Sequence, residues 1–103
     1  MKFEVLEVEN GLNADFNVQI NASSRITDID IMGEVLKIKC LDSEFDDQLD
    51  VYNFKVFVIG EKGNYGSLGV NDDIVNGYTY YGKKFHAGSY LYYFGKQIDR
   101  VKA

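Results

Sequence analysis

The stretch Tyr78–Gly95, YTYYGKKFHAGSYLYYFG, decides the fold of this chain. Aromatic residues recur at alternate positions on both sides of Ala87-Gly88, which is the period of a β-strand, and a short turn with glycine joins two such strands into a hairpin. Eight of the fifteen aromatic residues lie in this stretch, and six of the eight are tyrosines. The sequence therefore predicts a hairpin of Tyr78–Phe85 and Tyr90–Phe94.

The same alternation of apolar and polar residues runs through the chain before this hairpin. It predicts strands at Phe3–Val8, Phe16–Ile20, Ile29–Ile31, Val35–Leu41 and Val51–Ile59. The run Val51–Ile59, VYNFKVFVI, is apolar on nearly both faces, which is typical of a strand at the centre of a sheet.

The turns between these strands are indicated by glycine. Asn10-Gly11 predicts a type I′ hairpin turn, and Met32-Gly33 predicts a turn into the next strand. Gln97–Lys102 is expected to add an edge strand. The only helical candidates are short, at Ser43–Leu49 and Asp72–Val75.

Seven or eight short strands with frequent turns predict an all-β fold, either a small antiparallel sandwich or a partly open barrel, with at most one short helix. At 103 residues, the chain is expected to form one β domain spanning residues 1–103. It contains no apolar run that could span a bilayer and starts with no signal-like apolar block, so we expect no membrane association. The single cysteine, Cys40, alternates with lysines and is expected to be an inert core residue in a reducing, cytoplasmic setting.

The net charge of −5 is unevenly distributed along the chain. Residues 1–77 carry fifteen acidic and six basic side chains, whereas residues 78–103 carry one acidic and five basic side chains. Either the acidic part and the basic tail pack side by side, or the fold presents faces of opposite charge that steer a partner.

Sequence patterns give little support to catalysis or to a bound cofactor. His86 is the only histidine, and one histidine with one cysteine cannot complete a zinc site. The acidic stretch Asp42–Asp50 lacks the glycine and final glutamate of a calcium loop, and the glycines of residues 60–77 match no phosphate-binding motif. The sequence predicts a protein that is not an enzyme and has no cofactor and no metal.

The Tyr-rich hairpin carries tyrosines on both of its faces, and a sandwich buries one face. Tyr78, Tyr80, Tyr90, Tyr92 and Phe94 fall on one face, and Tyr81 and Tyr93 fall on the other. The second set, with lysines of the hairpin and residues of the loops at 42–50 and 60–77, supplies the predicted partner-binding residues: Tyr65, Tyr81, Lys83, Lys84, Tyr93, Asp46 and Asp47. Tyrosine is enriched at protein interfaces and also stacks on bases.

The C-terminal half resembles very short all-β proteins of unknown function that are encoded by bacteriophages. The matching residues are Val58-Ile59-Gly60 to Gly63, Tyr80-Tyr81-Gly82 and Tyr90–Phe94. The resemblance implies a small phage or prophage accessory protein that binds and blocks a host protein, including a defence protein, in the host cytoplasm. The alternatives are a binder of single-stranded nucleic acid or nucleotides through stacked tyrosines, and a small structural module of a virion. A homodimer is a further alternative for its assembly.

Overall fold

The computed structural model describes residues 2–42, 47–60 and 76–103, which contain seven β-strands and no helix. The strands are β1 Lys2–Val8, β2 Asp15–Asn21, β3 Ser24–Met32, β4 Val35–Asp42, β5 Gln48–Gly60, β6 Thr79–His86 and β7 Ser89–Lys102. Leu49 lies in β5, so it does not belong to the short helix expected at Ser43–Leu49. Residues 43–46, and the second candidate Asp72–Val75, lie outside the described residues.

The strands form two antiparallel sheets that enclose one core. The three-stranded sheet has the order β1-β4-β3, and the four-stranded sheet has the order β2-β5-β7-β6. All of the pairs in both sheets are antiparallel. The prediction of a small antiparallel sandwich is confirmed, and the described strands do not close into a barrel.

The longest pairing joins β5 to β7, which are the two central strands of the four-stranded sheet. It runs from Gln48 opposite Lys102 to Gly60 opposite Ser89, with one shift of register after Val51. The prediction that Val51–Ile59 lies at the centre of a sheet is confirmed, because β5 lies between β2 and β7. The predicted edge strand at Gln97–Lys102 is present as the end of β7, which pairs there with β5 and, within the described residues, no longer with β6.

The core receives alternate side chains from both sheets. Within the described residues, twelve buried apolar residues form one cluster: Val8, Phe16, Val18, Ile20, Ile29, Leu36, Ile38, Cys40, Phe54, Val56, Leu91 and Tyr93. Cys40 is 4% exposed, which confirms its prediction as a core residue. Burial, with smaller contributions from Asp42 and Glu4, raises the pKa of its thiol to about 11, so the reactive thiolate is disfavoured.

Two of the predicted turns are confirmed, and their geometry explains the residues used. Ala87 and Gly88 join β6 to β7 with φ of 50° and 81°, as a type I′ turn requires positive φ at both central positions. Gly33, with φ of 65°, turns β3 into β4.

The prediction of a hairpin at Asn10-Gly11 is wrong. The flanking strands β1 and β2 lie in different sheets, and Gly11 does not have a positive φ. Gly11 is required for a different reason, because a Cβ atom at this position would lie 2.2 Å from the Cβ of Leu36. The chain crosses between the sheets here, and only a residue without a side chain fits against Leu36.

The acidic segment and the basic tail pack side by side at one end of the β5–β7 pair. Asp50, which is 5% exposed, accepts hydrogen bonds from Arg100 Nε at 2.6 Å and from Gln97 Nε2 at 3.0 Å. The backbone N–H of Ala103 donates to the carbonyl oxygen of Asp47 at 2.8 Å. The charge asymmetry of the sequence is therefore partly neutralised within the fold.

Among residues 2–42, 47–60 and 76–103, no helix is long and apolar enough to cross a membrane.

Replacing Gly11 by Ala is expected to lower the free energy of unfolding by about 2 kcal/mol, because the added methyl group overpacks the site against Leu36. Urea denaturation measures this change. Asn10→Ala is the matched control and should cost less than about 0.5 kcal/mol, because Asn10 is exposed. An equal decrease in the free energy of unfolding for Gly11→Ala and Asn10→Ala would instead support the hairpin turn predicted at Asn10-Gly11.

The raised pKa of Cys40 gives a pH dependence of stability with a defined sign. The folded state holds the thiol proton more tightly than the unfolded state, whose pKa is near 9.0. The stabilisation is therefore complete below pH 9 and is lost as the pH rises towards 11. Urea titrations across this range should give a shallower decline of stability in Cys40→Ala than in the unaltered protein. If stability declined equally steeply with pH in both proteins, the Cys40 thiol would not be buried as described.

Candidate functional site

The register of β7 assigns the tyrosines of the hairpin to two faces. Leu91 and Tyr93 are buried, while Tyr90, Tyr92 and Phe94 alternate with them and are only partly buried. The inner face of the four-stranded sheet therefore carries Leu91 and Tyr93. The outer face carries the other three rings.

Tyr93 and Tyr81 belong to the core side, so the expectation that they form the exposed face is wrong. Tyr93 is 0% exposed, and its hydroxyl donates a hydrogen bond to the carbonyl oxygen of Gly11 at 2.8 Å. Burial raises the pKa of Tyr93 to about 12. The ring centroid of Tyr81 lies 5.6 Å from that of Phe54, and burial is also the main cause of its raised pKa.

Tyr81 reaches the core through a β-bulge. Tyr80 is paired with Phe94, and the next pair is Gly82 with Tyr93, so Tyr81 is the extra residue of β6. Its ring covers Gly95, where an added Cβ would lie 2.8 Å from Tyr81 and 2.7 Å from Phe54. The bulge shifts the alternation of β6 by one residue.

This shift separates the two predicted lysines. Lys83 is paired with Tyr92, and its Nζ lies 4.8 Å above the ring of Tyr90, on the outer face. Lys84 is paired with the buried Leu91 and so lies on the inner side of the sheet, near its end. Of these two lysines, the structure therefore places only Lys83 beside the outer aromatic rings.

The outer side of β5, β7 and β6 carries two groups of adjoining aromatic side chains, which we together call the aromatic face. It consists of Phe57, Tyr80, Phe85, Tyr90, Tyr92 and Phe94. The ring centroids of Tyr80 and Phe94 are 5.1 Å apart, and those of Phe85 and Tyr90 are 5.2 Å apart. Tyr80 is 50% exposed and Phe85 is 53% exposed. Exposed aromatic side chains that adjoin one another are typical of interaction surfaces.

A polar border adjoins the aromatic face on β2 and β5. Tyr78 donates a hydrogen bond to Asn53 Oδ1 at 2.6 Å, and its ring lies between the ammonium groups of Lys55 and Lys96, at 5.9 and 5.8 Å. Lys55 is also bonded to Asp15 at 2.6 Å. This bond lowers the pKa of Asp15 and raises that of Lys55, so both groups stay charged. The face thus has an apolar centre and a charged border.

The remaining predicted site residues do not join this face. Asp47 is exposed just before β5, at the end where Asp50 meets Arg100. Tyr65 and Asp46 lie outside the described residues, as does most of the loop at residues 60–77. In the described part of the chain, no three potential metal ligands form a cluster.

The sequence contained part of the signal for the aromatic face. Period-two alternation groups Tyr80 with Tyr90, Tyr92 and Phe94, but it does not indicate which of the two sets faces the solvent. Phe85 and Phe57 were missed, because Phe85 reaches this face only through the bulge and Phe57 only through the pairing with β7.

Comparison of the chain with protein-family models, with curated proteins and with solved structures finds no match.

Truncation of an inner and an outer tyrosine should have very different effects on stability. Tyr93→Ala is expected to lower the free energy of unfolding by about 4 kcal/mol, since it empties a fully buried site. Tyr80→Ala should cost about 1 kcal/mol or less, because half of the side chain is already in water. The urea midpoints of the two variants provide the measurement. A larger loss of stability in Tyr80→Ala than in Tyr93→Ala would mean that Tyr80 lies in the core and Tyr93 on the surface.

Proposed function

We propose that this chain is a non-enzymatic binding protein that holds a partner protein against its aromatic face. The observation that carries the proposal is the exposure of Tyr80 and Phe85, each in a group of adjoining aromatic rings, on the side of the sheet that faces away from the core. Aromatic side chains supply much of the energy at protein interfaces, and a charged border adds specificity.

The charges of the face indicate the chemistry of the partner surface. Lys83 lies over the Tyr90 ring, and Lys96 adjoins Tyr78 at the border. Lys55 is balanced there by Asp15. A complementary surface is apolar at its centre and carries carboxylates at its edge.

Ring packing favours a protein partner over a nucleic acid. A base stacks on a ring whose flat side is free, as on the tyrosines of oligonucleotide-binding sheets. Here three ring pairs are tilted or edge-on, with interplanar angles of 84° for Phe57 and Phe94, 60° for Phe85 and Tyr90, and 41° for Tyr80 and Phe94. Tyr80 and Tyr92 are closer to parallel, at 23°. The net charge of −5 also opposes the approach of a polyanion.

The phage-protein resemblance extends the proposal to the biological role. With this extension, the proposed partner is a bacterial host protein in the cytoplasm. The bound β domain would sterically block the surface that this host protein uses. Cys40 supports the non-enzymatic part of the proposal, because the most nucleophilic type of side chain is buried and its pKa is raised.

The test is affinity capture followed by titration with the purified partner. The double variant Tyr80→Ser with Phe85→Ser is expected to keep a urea midpoint typical of surface variants. Its Kd for the partner should rise at least about thirtyfold, because the loss of one interface hot spot has an effect of this size. Phe3→Ser is the matched control, because Phe3 is 73% exposed on the other sheet.

Three outcomes would overturn the proposal. One is undiminished binding by the double variant, and another is an equal loss in the Phe3→Ser control. The third is tight, salt-sensitive binding of single-stranded oligonucleotides that requires Tyr80 and Phe85, which would assign the face to nucleic acid. Sedimentation of the free protein shows whether a second copy occupies the face instead.

A further inference from the structure

Two asparagines of the chain are followed directly by glycine, at Asn10-Gly11 and at Asn76-Gly77. In this dipeptide the backbone nitrogen of the glycine can attack the side-chain amide carbon of the asparagine, because glycine has no Cβ atom to hinder the approach. The attack requires rotation of the backbone at the asparagine and a glycine N–H that is free of other bonds. The fold gives the two sites very different surroundings.

Hydrogen bonds fix the backbone at Asn10-Gly11. The N–H of Gly11 donates to the carbonyl oxygen of Val8 at 3.2 Å. The carbonyl oxygen of Asn10 accepts a bond from the N–H of Asn13 at 3.1 Å. The nitrogen that would have to attack is therefore already bonded, and the peptide group that would have to rotate is held on both of its sides.

Packing against the core holds the same site. Gly11 is buried, and a Cβ atom on it would lie 2.2 Å from the Cβ of Leu36. Its carbonyl oxygen accepts the hydrogen bond from the Tyr93 hydroxyl at 2.8 Å. Rotation of the backbone here would break these contacts together, so it requires a local opening of the fold.

The backbone at Asn76-Gly77 is accessible and lies in the turn before β6. Both residues are exposed. In the part of the chain that the structure describes, neither the N–H of Gly77 nor the side chain of Asn76 forms a hydrogen bond. The three atoms nearest to a Cβ on Gly77 all belong to the exposed, flexible side chain of Lys96, so the core does not restrain this glycine.

We propose that Asn76 is a site of spontaneous deamidation, and that the fold protects Asn10 although it has the same sequence motif. The Gly77 nitrogen bonds to Cγ of Asn76, the bond from Cγ to the side-chain nitrogen breaks, and ammonia leaves with the proton of the Gly77 N–H. Water then opens the succinimide ring that has formed. Addition of water at Cγ gives aspartate, and addition at the main-chain carbonyl carbon gives isoaspartate.

The reaction adds a negative charge beside the polar border of the aromatic face. Tyr78 follows Gly77 directly, and Lys96 adjoins both the turn and the Tyr78 ring. Either product carries a carboxylate, ionised at neutral pH, where the original residue has a neutral amide. The positive charge of Lys96 at this border is therefore partly offset as the protein ages. The modification itself does not depend on the function proposed for the face.

The test is incubation of the folded chain in mildly alkaline buffer, with proteolysis under acidic conditions and mass spectrometry of the peptides at intervals. We expect the peptide that contains Asn76 to convert at least about tenfold faster than the peptide that contains Asn10, because attack at Asn10 first requires the loss of hydrogen bonds and packing. Methylation by an isoaspartate-specific methyltransferase distinguishes isoaspartate from aspartate.

The same chain in concentrated guanidinium chloride is the matched control for the fold. Both motifs are then free of tertiary contacts, so the two rates should become similar. Two variants identify the residue, because glutamine keeps the amide but closes the corresponding larger ring far more slowly. Asn76→Gln should remove the acidic form that accumulates on anion-exchange chromatography, whereas Asn10→Gln should leave its rate of formation unchanged.

The proposal would be overturned by a lack of conversion at Asn76, or by equal or faster conversion at Asn10 in the folded chain. An undiminished difference between the two sites in the denaturant would also overturn it, because the fold would then not be the cause. Persistence of the acidic form in Asn76→Gln would assign the reaction to another residue. None of these measurements requires a partner of the aromatic face.

Discussion

The antiparallel pairing of β5 with β7, with its one shift of register after Val51, is the constraint that determines the rest of the structure. These two strands run together from Gln48 opposite Lys102 to Gly60 opposite Ser89, and they lie at the centre of the four-stranded sheet. Because side chains alternate along a strand, this one register places Tyr93 in the core and Tyr92 outside. A slip by one residue would exchange the core for the aromatic face.

Much of the fold could be predicted from local patterns. The period-two alternation located the strands, and the positive-φ turn at Ala87-Gly88 followed from its glycine. The same type of signal failed at Asn10-Gly11, where glycine is needed for contact with Leu36 and not for a hairpin. A close approach between two sheets depends on residues far apart in sequence, and no local pattern reports it.

The candidate site could be predicted only in part, for the same reason. Alternation divides the tyrosines correctly into two sets, yet which set is buried depends on how the second sheet packs against the first. The contact of Tyr81 with Phe54 and the bond from Tyr93 to Gly11 join distant parts of the chain. The bulge at Tyr81 then exchanges the sides of Lys83 and Lys84, which strict alternation cannot anticipate.

One tyrosine set of the hairpin lies in the core, and the other forms an accessible surface. Photochemically induced nuclear polarisation of tyrosine rings tests it most directly, because a dye in solution polarises only rings that it can touch. With signals assigned through single Tyr→Phe variants, we expect strong polarisation of Tyr80 and none of Tyr93. Polarisation of Tyr93 with a silent Tyr80 would contradict it.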